Sequence, residues 1–156
     1  MSLVSIKEVT DLISEDIPAI GEMGIIFEIV SDSLVRARLP FDASSLRPGG
    51  TISGPTMMGL GDIVVFVCIL SRIGIVKDAV TTNLNANFLR KPGPSDLIAE
   101  GNLIKLGQRL AYGQVYMFSE KDPENIVCHV TSTYSCLLYT SPSPRDRTRS
   151  RMPSSA

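Results

Sequence analysis

The sequence predicts an α+β domain, and three observations predict it. An apolar run over residues 55–73 opens on Pro55 and reads as one long helix. An amphipathic helix and two β-rich stretches precede it, and after Gly74 the chain reads as strands alone.

Ser5-x-x-Glu8 has capping-box spacing, with the serine side chain answering the backbone N–H three residues on and the glutamate answering back. Ile6, Val9, Leu12 and Ile13 follow at helical spacing, so a helix is expected over 6–14, ended by Pro18 and Gly21. Residues 24–41, GIIFEIVSDSLVRARLPF, place β-rich stretches on both sides of Ser31-Asp32-Ser33. Leu34, Arg36 and Arg38 alternate there with Val35, Ala37 and Leu39, the pattern of a hairpin with one wet face.

Residues 42–54 hold proline, serine and three glycines, a loop that feeds the helix at Pro55, where a missing N–H costs nothing. The helix is apolar nearly all round, as one enclosed on most sides would be. Gly59 and Gly61 each cost roughly 1 kcal/mol relative to alanine in a helix, which close approach by another element would explain. Strands are expected over 80–89, 97–106, 109–119 and 126–138. Turns such as Lys91-Pro92-Gly93-Pro94 and Lys121-Asp122-Pro123 join them into a four-stranded meander.

With 156 residues, 44% hydrophobic and 20% charged, the chain suits one globular domain, expected over 1–138. A net charge of −1, 6% aromatics and no tryptophan lack the basic stripe and stacking platform of a nucleic-acid binder. Cys68, Cys128 and Cys136 show no C-x-x-C spacing and His129 is the single histidine, so no structural metal is expected and the thiols should be reduced. The first residues lack the basic-then-apolar layout of a secretory signal, which with the thiols points to a cytoplasmic setting. The longest candidate for a membrane span, residues 57–75, is interrupted by Asp62, Arg72 and three glycines and fits a buried helix better. From Tyr139 to Ala156 the composition turns to Ser, Pro and four arginines against one aspartate. This is a basic tail expected to be disordered, read as a non-native extension in preference to a basic arm for an anionic surface, and it leaves the rest of the chain near −4.

The informative stretch runs from Arg47 to Asp62, RPGGTISGPTMMGLGD, a glycine loop opening a helix with one carboxylate two turns inside. The Gly54 N–H, at the positive end of the helix dipole, can donate to an oxygen that becomes negative when a carbonyl is attacked. Asp62, flanked by Leu60, Ile63, Val64 and Val65, is either a general base whose pKa desolvation raises or a carboxylate satisfied in the core. Gly54 and Asp62 are eight residues apart, roughly 12 Å along one helix, too far to touch one carbonyl. If both act on it, two antiparallel copies of the helix must meet, which requires a dimer. Thr81, Asn83, Asn85 and Asn87 alternate with Leu84, Ala86 and Phe88, placing the polar residues on one face as a solvated surface or the lining of a wet interface.

These residues resemble the hotdog-fold acyl-CoA thioesterases of the phenylacetate-pathway type. That family carries N-x-x-G-x-x-H-G-G-x-x-x-x-L-x-D, then a strand like T-x-D-L-N-x-N-F-L-R and a last strand like A-T-G-T-Y. The resemblance spans residues 24–138 and implies a curved antiparallel sheet wrapped around the helix, paired as a homodimer or doubled to a homotetramer. Gly50 takes the loop glycine, Gly54 the oxyanion glycine, Leu60 the helix leucine and Asp62 the catalytic carboxylate. Thr81 falls where the family holds the attacking water, and Thr131-Ser132-Thr133-Tyr134 matches the last strand. Arg47, Ser53 and Pro55 depart from the family's Asn, His and second Gly. Ser53 is either a donor to the thioester carbonyl or a capping hydroxyl. Arg47, Arg90, Lys91 and Arg109 are candidates for the phosphates of coenzyme A, which enters as part of the substrate and not as a cofactor.

The resemblance thus implies hydrolysis of acyl-CoA, with no metal or redox cofactor needed. The rival from another class is a hotdog protein that binds acyl-CoA without turning it over, which the changes at Arg47 and Ser53 permit. A dehydratase or hydratase would want a histidine near the loop, whereas His129 lies in the last strand. Met57 and Met58 read as core or acyl-pocket lining.

Overall fold

The computed structural model describes residues 1–42, 46–47 and 51–135, with the backbone alone at 46, 47 and 51. The tail expected over 139–156 and the last residues of the expected final strand lie outside the described residues.

Helix α1 (Ile6–Asp16) begins on the expected capping box: Glu8 N–H donates to Ser5 Oγ at 3.1 Å and Ser5 N–H to Glu8 Oε1 at 3.0 Å. It buries Val9, Leu12 and Ile13 and runs two residues past the expected end. Pro18 then opens a one-turn helix, α2 (Pro18–Gly21), because proline is compatible with a first helical turn. The hairpin follows as β1 (Ile26–Val30) and β2 (Val35–Leu39), its turn closed by Leu34 N–H donating to Ser31 Oγ at 3.0 Å.

Val35, Ala37 and Leu39 are buried while Arg36 and Arg38 stand on the outer face. Glu28 accepts from Arg36 Nε at 2.9 Å and Arg38 Nε at 2.7 Å, and the same arginines reach Glu100 at 2.7 Å and Asp96 at 3.0 Å across the sheet. Hydrogen bonds from Arg38 and Arg36 hold the Glu28 carboxyl below its ordinary range. The Phe41 N–H, followed by Arg38, does the same for Asp96. A carboxyl depressed on folding stabilises the folded state fully above its unfolded pKa and loses that contribution as pH falls through the folded value, so this ladder weakens only in acid.

Within the expected loop, β3 (Leu46–Arg47) and β4 (Thr51–Ile52) pair as a minimal hairpin. Helix α3 (Gly54–Ile73) then starts one residue earlier than expected, with Ser53 as N-cap, Gly54 first and Pro55 second. It stops at Gly74, whose φ of +88° favours glycine. By length and composition α3 would suffice to cross a membrane, but 67% of its most apolar window is buried inside the domain, where it forms the core.

The remaining strands are β5 (Val80–Phe88), β6 (Leu97–Leu106), β7 (Leu110–Ser119) and β8 (Asp122–Ser135). All six long strands form one antiparallel sheet in the order β1-β2-β6-β7-β8-β5. The four-stranded meander is therefore corrected: β6, β7 and β8 run consecutively, but β5 pairs with β8 on the far edge. Residues 89–96 make this crossing possible, since eight extended residues reach up to about 26 Å. Three inter-strand spacings amount to only about 14 Å. β8 also starts earlier than expected, at Asp122, because the reversal is completed at Glu120 and Lys121. Pro123 is accommodated where the register with β7 shifts.

The sheet curves around α3, the hotdog arrangement that the resemblance implies, and it comes close enough to need glycine. A Cβ on Gly61 would stand 2.8 Å from a Val130 methyl, and one on Gly101 would stand 2.6 Å from a Val64 methyl. Close approach thus explains Gly61. It does not explain Gly59, where the nearest atom would be Ile20 Cδ1 at an ordinary 3.7 Å. Gly61→Ala should therefore lose about 1 kcal/mol net in urea unfolding, an overpacking cost of about 1–3 kcal/mol outweighing a helix-propensity gain of about 1 kcal/mol. Gly59→Ala should lose none.

Candidate active site

The sheet leaves one strip of α3 uncovered. Pro55, Met58, Gly59 and Asp62 recur at the spacing of one helix face; Pro55 and Met58 are exposed and Asp62 half-buried. Asp62 Oδ1 accepts two hydrogen bonds, from Thr81 Oγ1 at 2.8 Å and from Tyr134 Oη at 2.9 Å. Tyr134 Oη also stands 2.9 Å from the Asp62 backbone oxygen. Its ring is buried and stacks on Phe66, one turn along α3, with centroids 6.0 Å apart. Among the described residues no donor reaches Oδ2, so one oxygen is held and the other is left for chemistry.

Thr81 reaches Asp62 through an irregularity that strict alternation hides. The β5–β8 register shifts between Thr81 and Asn83: Thr81 pairs with Tyr134, but Asn83 pairs with Thr133. The extra residue, Thr82, is a bulge, and it turns Thr81 to the helix-facing side shared by Leu84, Ala86 and Phe88. The expected line of Thr81 with Asn83, Asn85 and Asn87 on one face is therefore corrected: the asparagines face outward without it.

Beside Asp62, Thr81 and Tyr134 opens a cavity of about 310 Å³ with walls of Leu12, Ile17, Ile20, Ile63 and Phe66. At its rim Lys77 Nζ pairs with Asp16 at 3.1 Å. Two of its parts were not foreseen from the sequence. The N-terminal helices build one wall, and the available signal was an amphipathic helix whose buried stripe had no assigned partner. Tyr134 had been matched only as strand sequence, although a buried tyrosine hydroxyl calls for a partner.

The other end of the strip carries Gly54. As the first residue of α3 its N–H lies outside the helix's own ladder, and a Cβ there would press on the Phe88 ring at 3.3 Å. Ser53 Oγ accepts from Thr56 N–H at 3.2 Å and lies 2.8 Å from Thr56 Oγ1, so of its two readings the structure supports the capping hydroxyl. Two helical turns separate this end from Asp62, and one protomer does not bring them together.

Arg90 and Lys91 line a second cavity of about 270 Å³ just past β5, joined by Lys121, which the sequence had offered only as a turn residue. Arg109 is at the opposite end of the sheet, because it precedes Leu110, which pairs with Ser135, whereas Phe88 pairs with Cys128. The Arg47 backbone is in β3, and its side chain is outside the described residues. His129 Nε2 lies 3.2 Å from Gln114 Oε1 and its ring stacks on Tyr116, a satisfied strand histidine on the outer face. Burial pushes the Cys68 thiol up to about 12 and Cys128 up to about 11, so neither is a thiolate nucleophile at neutral pH.

The model of the thioesterase superfamily matches residues 49–126, half of the chain, with Gly54, Asp62 and Thr81 inside the match. The chain belongs to the thioesterase superfamily. Among solved structures, a protein of Silicibacter sp. TM1040 provisionally named a thioesterase is 33% identical. The match covers 86% of this chain and 93% of that one, with a TM-score of 0.76. A Haemophilus influenzae thioesterase, 21% identical over 89% of this chain and 96% of its own, superposes with a TM-score of 0.73 and shows the shared fold. A provisionally named esterase of Thermoplasma acidophilum is 26% identical over 91 residues, 57% of this chain and 68% of that one. Superfamily membership and these relatives support a hydrolase that acts on thioesters on the hotdog scaffold.

The cap assignment predicts that Ser53→Ala lowers stability by about 1 kcal/mol, within the usual 0.5–2 kcal/mol for a lost N-cap. Ser53→Asp, which still caps, should restore most of it; urea unfolding of the three proteins checks this.

Proposed function

We propose that this chain hydrolyses acyl-CoA thioesters as an antiparallel homodimer, or as a dimer of dimers, with Asp62 as general base. The observation that carries the reading is a half-buried carboxylate at the mouth of a largely apolar cavity, with Oδ1 tied by two hydroxyls and Oδ2 met by no donor among the described residues.

Thr81 spends its own proton on Asp62, so its oxygen is an acceptor for a third group. A water donating one hydrogen to Asp62 Oδ2 and the other to Thr81 Oγ1 keeps a lone pair for the thioester carbonyl. As that pair forms the new C–O bond, a proton passes to Asp62. The carbonyl oxygen becomes negative against the Gly54 N–H of the other protomer. The C–S bond then breaks and the proton leaves with the thiolate, giving the acid and free coenzyme A. Direct attack by Oδ2 to form an anhydride, later opened by water, uses the same atoms. Water is the sole co-reactant, so the reaction itself calls for no cofactor.

Three features support the pairing of two copies. Gly54 and Asp62 share one unbroken helix and are roughly 12 Å apart along its axis. β5 is an edge strand of nine residues with unpaired backbone on one side, and its Val80 and Phe88 are exposed together with Leu89 and Met58. Antiparallel joining of two β5 strands would set Gly54 and Phe88 of one copy beside Thr81 and Asp62 of the other. Arg90, Lys91 and Lys121, next to the Phe88 end, then suit the coenzyme A phosphates, while the acyl group enters the partner's apolar cavity. Arg109, at the other end of its own sheet, would join that phosphate end only from the second copy. The reading places the reaction in the cytoplasm, where coenzyme A thioesters and reduced thiols coexist.

Ser53 Oγ serves the helix cap as an acceptor and lies 2.8 Å from Thr56 Oγ1. When its proton goes to Thr56, the carbonyl is left with the Gly54 N–H alone from this segment, and this is what favours the second reading, a non-catalytic acyl-CoA-binding protein. Thiol release from short, aromatic and long acyl-CoAs separates the two. Turnover by wild type that falls at least 10²-fold in Asp62→Asn, at equal concentration of folded protein, is the expected result for general-base catalysis. Tight binding with no turnover by wild type would establish the second reading instead.

A further inference from the structure

Tyr134 is buried against the reacting carboxylate, and its hydroxyl stands within 2.9 Å of two acceptors at once, Asp62 Oδ1 and the Asp62 backbone oxygen. It has one proton to give. We propose that Tyr134 is a positioning residue that follows the charge of Asp62: its hydroxyl donates to Oδ1 while the carboxylate is ionised and turns to the Asp62 carbonyl when Oδ2 takes the proton from water. This rests on the reading of Asp62 as the base.

The argument is one of satisfied donors. A buried hydroxyl that loses its acceptor pays a desolvation penalty comparable to the hydrogen bond itself. Protonation of a carboxylate weakens it as an acceptor, so a base whose buried partner had nowhere else to donate would resist taking up a proton. Here the second acceptor belongs to the same residue, and a carbonyl oxygen has two lone pairs, so it can serve the α3 ladder and Tyr134 together. The turn is a rotation of one hydrogen and moves no heavy atom. With Thr81 also donating to Oδ1, the proton is steered to Oδ2, the oxygen turned to the water.

Among the groups lining the cavity, these two hydroxyls are the ones that reach the Asp62 carboxylate. Around the cavity, α3 supplies Asp62 itself, β5 supplies Thr81 and β8 supplies Tyr134. The remaining charged side chains among the described residues are Asp16 of α1 and Lys77, before β5, and these pair with each other.

Carboxyl-carbon NMR titration of Asp62 in the whole protein tests this, the signal being assigned by its loss in Asp62→Asn. Tyr134→Phe keeps the ring on Phe66 and removes a donor to the charged form. The midpoint should rise by about 1 pH unit, and the acid limb of kcat/KM should move up with it, since the base must be ionised to act. 3-Fluorotyrosine incorporation, which strengthens the donor without changing its shape, should move the midpoint down. An unmoved midpoint in both proteins would overturn the positioning role, even where a loss of plateau rate shows that the ring matters structurally.

The second acceptor is tested in the Asp62→Ala background, which keeps only the carbonyl. Tyr134→Phe should still lower Tm there, and no change would overturn the turn of the hydroxyl. The titration midpoint and Tm do not depend on turnover, so a wild type that hydrolyses no thioester would sink the enzymatic reading while the titration still judged Tyr134.

Discussion

A helix as apolar as α3 cannot stand in water, and twelve of its twenty residues are buried. A flat sheet would cover one side of it. Covering most of the circumference demands a sheet that curls, and the curl presses valine side chains onto glycine backbone, Val130 onto Gly61 and Val64 onto Gly101. From this enclosure the rest follows. Asp62 stands half in water on the strip that the sheet does not reach, with Thr81 delivered to it by the edge strand β5 and Tyr134 by its neighbour β8.

The local parts of this arrangement were legible in the sequence. The capping box at Ser5 and Glu8, the alternation through Val35 and Leu39, and the span of α3 all depend on neighbours within a few residues, and the structure returns them nearly unchanged. Asp62 was legible for a related reason: a lone acid in an apolar helix either has a partner or a task, and it proved to have Thr81 and Tyr134 as partners in a setting that suits a task. What stayed hidden depends on pairings between distant segments. The place of β5 beside β8 is decided by how far residues 89–96 can reach, which no periodicity records. The bulge at Thr82 breaks the two-residue period at the one point where a site residue stands, so a reading by alternation put Thr81 on the wrong face.

The cations divide in the same way. Arg90, Lys91 and Lys121 converge because two turns meet at one end of the sheet, although Lys121 is thirty residues downstream of Lys91. Arg109 looked equivalent by residue type and is placed at the other end. Charge alone did not distinguish them; only strand direction does.

The cavity beside Asp62 joins two parts of the chain with very different obligations. Its inner wall, Ile63 and Phe66, belongs to the core helix, where any change of volume is felt by the whole domain. Its outer wall, Leu12, Ile17 and Ile20, belongs to a short N-terminal segment outside the sheet. Mutation of the partly buried Ile17 and Ile20 can therefore reshape the space beside the carboxylate while the buried core and the hydroxyls on Asp62 stay as they are. One unchanged core can in this way present the same carboxylate to cavities of different size.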